Sequence, residues 1–117
     1  MPLNRSDLPQ TVLSLLSQGT VIPAHPLALD AHRSFHRERQ RALTRYYVDA
    51  GAGGLAVGVH TTQFAIRERG LYSTVLASAM DDRLAWSTRP MAMIAGLCGQ
   101  TAQAVAEART AVGLGYH

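Results

Sequence analysis

The chain contains no lysine: all 11 of its basic residues are arginine. Chemistry that needs a lysine amine, such as a Schiff base or a P-loop phosphate clamp, cannot come from these 117 residues alone. Cysteine is almost as scarce. The single Cys98 excludes an internal disulfide and a multi-cysteine zinc site. Long apolar runs are missing too. Residues 8–29 carry no charge, but Pro9, Ser14, Ser17, Gln18, Pro23, His25 and Pro26 interrupt them. That falls short of the ~20 apolar residues a spanning helix needs, so no membrane partner is expected. The N-terminus holds Asp7 and only a short apolar stretch, 12–16, which does not read as a secretory signal. A cytoplasmic location is the resulting expectation.

What is present points to one globular domain. A composition of 47% apolar and 16% charged residues is that of a packed chain. The net charge is +3, and five arginines gather at 33, 37, 39, 41 and 45. They are interleaved with Phe35, Leu43, Tyr46 and Tyr47 at helical spacing. The arginines then form the wet face of a surface helix, and no nucleic-acid partner is expected.

The periodicity predicts strand and helix in alternation. Ser6 caps a short first helix with Pro9 in its first turn, and Gly19 ends it. Thr20-Val21-Ile22 reads as a short buried strand that stops at Pro23. Asp30 precedes a helix over about 31–50, closed by Gly51, Gly53 and Gly54. Residues 55–59 form a second apolar strand, unalternated and hence buried on both faces. Leu71, Tyr72, Val75, Leu76, Ala79, Met80 and Leu84 mark a second long helix. Residues 91–95 form a third strand. Thr101 caps a last helix with Val105, Ala108 and Val112 on its inner face. Strand centres ~35 residues apart match βαβ units. The class is α/β with parallel strands, either doubly wound or a barrel; periodicity does not choose between the two.

In both architectures the working face lies at the carboxyl ends of the strands. That rule selects Pro23-Ala24-His25-Pro26, His60-Thr61-Thr62-Gln63 and the loop 96–100 around Cys98. Two adjacent hydroxyls and strand-end N–H groups can hold a carboxylate or phosphate. Equally, Thr61 and Thr62 can simply satisfy the backbone of a turn. His60 is placed for general acid–base work, with His25 next. Cys98 reads either as a nucleophile lacking an identified activator or as a small buried thiol. The glycines at 51, 53 and 54 precede a strand and so do not form a phosphate cradle. His32 and His36 have the spacing of two ligands on one helix face. No further ligand joins them, and no metal is expected.

These residues carry a resemblance. Val21-Ile22-Pro23-Ala24, Asp30, the run from Tyr46 through Gly53-Gly54 to His60-Thr61-Thr62, and Ile94-Ala95-Gly96-Leu97-Cys98-Gly99-Gln100-Thr101 with Ala104, Ala108 and Gly115 resemble one family. It is the dihydrodipicolinate synthase and N-acetylneuraminate lyase family, the pyruvate-type class I aldolases. The similarity runs from about residue 20 to the last residue. It implies a (β/α)₈ TIM barrel of which residues 20–117 are the first three βα units, preceded by a helical extension over 1–19. The family signature Gly-Thr-Thr-Gly-Glu corresponds to His60, Thr61, Thr62, Gln63 and Phe64. By resemblance Thr61 relays protons, and Thr61 and Thr62 bind the keto-acid carboxylate. The departures at 60, 63 and 64 imply a divergent subgroup.

The resemblance further implies a lyase that acts on pyruvate or another 2-keto acid without a cofactor. The family's imine lysine and main catalytic tyrosine belong to later strands, and their roles do not pass to Tyr46, Tyr72 or Tyr116. This chain alone is therefore expected to be inactive. Three strands do not close a barrel. The expected partners are the 2-keto acid, a homo-oligomer or the remaining barrel segment. The alternative is a non-catalytic half-barrel module or remnant completed by a partner chain.

Overall fold

The structure is a computed structural model that describes residues 3–117. Its first element is a 3₁₀ turn over Arg5–Asp7, in which the Asn4 N–H donates to Asp7 Oδ2 at 2.8 Å. Ser6 lies inside this turn and caps nothing. Leu8 is extended, as the residue before a proline must be, and Pro9 starts helix α1, Gln10–Gln18. Gly19, at φ 89°, ends α1 as expected.

Helix α2 spans Arg37–Asp49 and starts six residues later than the periodicity predicts. The cause is Asp30. Its carboxylate accepts from the His32 and Ser34 N–H groups at 2.8 and 2.9 Å, folding residues 30–34 into a turn. Asp side chains compete with helix in this way. Leu29 and Phe35 close the turn with an antiparallel bridge, and His36 becomes the helix cap. His32 is thus outside the helix, so the two-ligand spacing with His36 does not arise.

Strand β1, Gly54–Val57, pairs in parallel with β2, Ala92–Ala95, in the register Leu55↔Met93. A Cβ on Gly54 would lie 2.1 Å from the Ala92 carbonyl, so this close pairing needs glycine. The third expected strand is only partly formed. Gly53 N–H donates to Val21 O, Ala56 N–H to Pro23 O, and His25 N–H to Ala56 O, all within 2.9 Å. The sole bridge is Ala24↔Ala56. Pro23 has no N–H to give, which interrupts the ladder. Val21 is 73% exposed, so residues 20–22 are not the buried strand expected.

Helices α3, Tyr72–Trp86, and α4, Thr101–Gly113, complete the set. The core joins Val48 of α2, Leu55 and Val57 of β1, Val75, Leu76 and Ala79 of α3, Met93 of β2 and Ala111 of α4. Strand side chains alternate between faces. Leu55, Val57 and Met93 therefore define one face, and helices α2, α3 and α4 pack on it. Ala24, Ala56 and Ile94 point the other way and are half-buried. Leu84 was expected in the core, but it is exposed at the end of α3. Helix α4 is turned relative to its expected face. Val105 and Val112 are exposed, while Glu107 and Ala111 face inward. On the outer edge of β2, Met93 gives its N–H to His117 Nδ1 at 3.0 Å and takes the His117 N–H at 2.9 Å. No helix among the described residues is long and apolar enough to cross a membrane.

Candidate functional site

The carboxyl ends of β1 and β2 meet in a pair of glycines. A Cβ on Gly96 would sit 2.5 Å from the Gly58 carbonyl, so the two loops leave the sheet in close contact. After Gly58 the chain makes a 3₁₀ turn over His60–Thr62 and a second over Phe64–Ile66. Gln63 links them at φ 76°, a conformation uncommon for any residue but glycine.

The two threonines of the first turn have separate environments. Thr62 is fully buried. Its hydroxyl donates to His25 O at 2.7 Å and accepts from the Gly58 N–H at 3.1 Å. It fastens the His25 loop to the end of β1, and its one donor is spent there. Thr61 is exposed, and its hydroxyl has no partner among the described residues. His60 is exposed and stacks on Phe64 at 5.3 Å between ring centroids. Gln63 is exposed beside them.

His25 has turned inward. Its Nε2 lies 2.7 Å from Thr44 Oγ1 and its Nδ1 2.9 Å from Gln40 Nε2. The Gln40 amide also donates to Pro26 O at 2.9 Å, and its oxygen accepts from the Ala28 N–H at 2.7 Å. A neutral ring satisfies this network: Gln40 donates to Nδ1, the Nε2–H donates to Thr44, and Thr44 donates to Gln40 O. Burial lowers the His25 pKa against the opposing pull of Pro26 O and Asp82, which keeps the ring neutral. Pro23 and Ala24 are half-buried along the interrupted strand.

Cys98 is half-buried in the loop after β2, and its N–H donates to Glu107 Oε1 at 3.1 Å. It belongs to a cluster that sequence reasoning missed. The Arg67 Nε–H donates to both Glu107 oxygens at 3.0 Å. Arg67 Nη2 donates to Gly58 O and Gly96 O, also at 3.0 Å each. One guanidinium thus ties together the ends of both strands and helix α4. The Arg67 and Glu107 side chains are 10% and 9% exposed, and Arg67 Nη1 is buried without a hydrogen-bond partner. Tyr72 lies under the guanidinium at 4.7 Å and donates its hydroxyl to Gly96 O at 2.8 Å. Burial, then the Glu107 charge, push the Tyr72 hydroxyl up to about 12. Burial alone would raise the Glu107 pKa. Hydrogen bonds from Gln103, Cys98 N–H and Arg67, together with the Arg67 charge, outweigh it and hold the carboxyl below its usual range.

A cleft of about 530 Å³ opens here, lined by Phe64, Arg67, Tyr72, Cys98, Gln103 and Glu107. The structure thus brings Cys98 together with residues from the second loop. It places Thr61, His60 and Gln63 at the open surface of that loop and draws Thr62 and His25 into the interior. The cleft can offer neutral and positive donors beside an ionised carboxylate. Among the described residues no three His, Cys, Asp or Glu side chains converge to hold a metal. One signal for the cluster was visible in the sequence: Glu107 is the only acidic residue in 83–117. No family model matches the chain, and no curated protein matches it.

Proposed function

We propose that residues 20–117 are the opening βα units of a (β/α)₈ barrel lyase of the pyruvate-type class I aldolase kind, with 1–19 as a helical extension. The observation that carries this reading is the placement of α2, α3 and α4 on a single face of the sheet. Barrel winding puts every helix outside and leaves the inner face for strand side chains, whereas doubly wound sheets carry helices on both faces. Ala24, Ala56 and Ile94 would then belong to the barrel interior. The resemblance around Gly53-Gly54 to Thr61-Thr62 supports the same assignment.

In this reading the strand-end loops hold the carboxylate of a 2-keto acid. Thr61 supplies the free hydroxyl. Thr62 acts as a positioning residue by fastening the turn to the His25 carbonyl. The imine lysine comes from polypeptide outside residues 1–117, since none lies within them. The chain by itself performs no imine chemistry on a side chain.

The test is reductive trapping. The gene product is taken from its source cell, treated with pyruvate and borohydride, and mapped by peptide mass spectrometry. The expected result is a reduced adduct on a lysine of the polypeptide that carries this segment or of one that co-purifies with it. Absence of any lysine adduct, under conditions that label a known class I aldolase, would sink the proposal.

A further inference from the structure

A second cavity, of about 540 Å³, lies at the opposite end of the sheet, where residues 90 and 91 lead into β2. It is independent of the strand-end cleft and of the reading built on it. Arg83, Arg89 and His117 all line it. Arg83 comes from the last turn of α3, Arg89 from the loop before β2 and His117 from beyond α4.

No Asp or Glu side chain lines the cavity among the described residues. Asp82, the adjacent acid on α3, is spent on Arg37 in a paired contact at 2.5 and 2.7 Å. Arg89 donates to the Ala52 and Val48 carbonyls, which hold it in place and leave its charge uncancelled. Arg83 reaches only the Arg89 carbonyl, at 3.4 Å, and its Nε–H is buried with no partner. Native interiors rarely leave such a donor unmet unless water or an ion completes it. The electrostatics agree with the geometry. Burial and then the Arg89 charge lower the Arg83 pKa, and burial and then Arg83 lower that of His117.

The remaining lining suits a polyoxygen anion. His117 Nδ1 accepts from Met93 N–H, which leaves the proton of the neutral ring on Nε2 as a further donor. Thr11 and Thr88 add exposed hydroxyls. Guanidinium groups match phosphate oxygens through paired N–H donors.

We infer that this cavity binds a phosphate group, held by Arg83 with Arg89, His117 Nε2 and the Thr11 and Thr88 hydroxyls around it. The ligand class is free phosphate or the phosphate monoester of a small metabolite.

The experiment titrates the ¹⁵N-labelled chain with inorganic phosphate and with glycerol phosphate, against sodium chloride at equal ionic strength. Phosphate-specific shifts confined to residues 9–12, 83–91 and 114–117 are expected. Arg83→Met should weaken binding about tenfold or more, the worth of one charge-assisted hydrogen bond. Thr88→Glu, at an exposed position, should weaken it similarly by placing a negative charge at the rim. That variant decides the matter if Arg83→Met does not fold. Tighter binding of glycerol phosphate would identify a monoester site, and equal binding a site for the free ion. Shifts no larger than those from chloride, or shifts unchanged in both variants, would overturn the inference.

Discussion

Removing one member of the Arg67–Glu107 pair should cost far more than a surface ion pair is worth. Both side chains are about nine-tenths buried, and the carboxylate also takes hydrogen bonds from Cys98 N–H and Gln103. Glu107→Leu strands a buried guanidinium, and Arg67→Met strands a buried carboxylate. Each should destabilise by about 3–5 kcal/mol. A chain of this size has a total of roughly 6–18 kcal/mol to lose. At ~4 °C per kcal/mol the melting midpoint should fall by roughly 12–20 °C. The double variant Arg67→Met with Glu107→Leu removes both charges together. It should lie within about 2 kcal/mol of the parent, so the cycle closes with a large coupling energy. Urea melts on the four proteins give all the terms. Single-variant losses below about 1 kcal/mol, or a double variant equal to the sum of the singles, would refute the argument. The pair also has an acid limit. Because the folded pKa of Glu107 lies below its unfolded value, its contribution is present above that unfolded value and is lost as pH falls through the lowered one.

Two further outcomes follow from the buried polar groups. Thr62→Val keeps the shape but leaves His25 O and the Gly58 N–H without their partner, so a loss of about 2–3 kcal/mol is expected in chemical denaturation. Thr62→Ser should recover most of it. His25 and His117 both bind protons less readily in the fold than at the usual histidine value of 6.5. The unfolded chain therefore takes up protons first as pH falls. Stability should be complete above pH 6.5 and decline as pH drops from 6.5 toward the lowered folded values. His117→Gln should flatten part of that slope in melts recorded from pH 7.5 to 5, and an unchanged slope would count against its share.

Much of this architecture was legible from residue order. The apolar spacing from Tyr72 to Met80 located α3, and the unalternated runs around 55 and 93 located the parallel pair. The failures have local causes. Asp30 reads as a helix cap by residue type, yet its carboxylate closes a turn of its own. Pro23 reads as the end of a strand, while it lies within an interrupted extended segment beside β1 as a missing donor. The inner face of α4 was assigned to its valines because a glutamate reads as wet. Glu107 is buried because Arg67, 40 residues earlier, neutralises it. No window along the chain contains both partners, so neither the rotation of α4 nor the strand-end cluster follows from periodicity. The site loops were found by the strand-end rule. Which of the two threonines keeps a free hydroxyl depends on the His25 carbonyl, 37 residues away.

Arg67 Nη2 has one further consequence. It grips the carbonyls of Gly58 and Gly96, the first residues past two neighbouring strands, so the loops after β1 and β2 cannot open separately without breaking the same contact. Their opening is one cooperative event rather than two. A ligand that settles on either loop therefore restrains both, and amide exchange in the two segments should slow together.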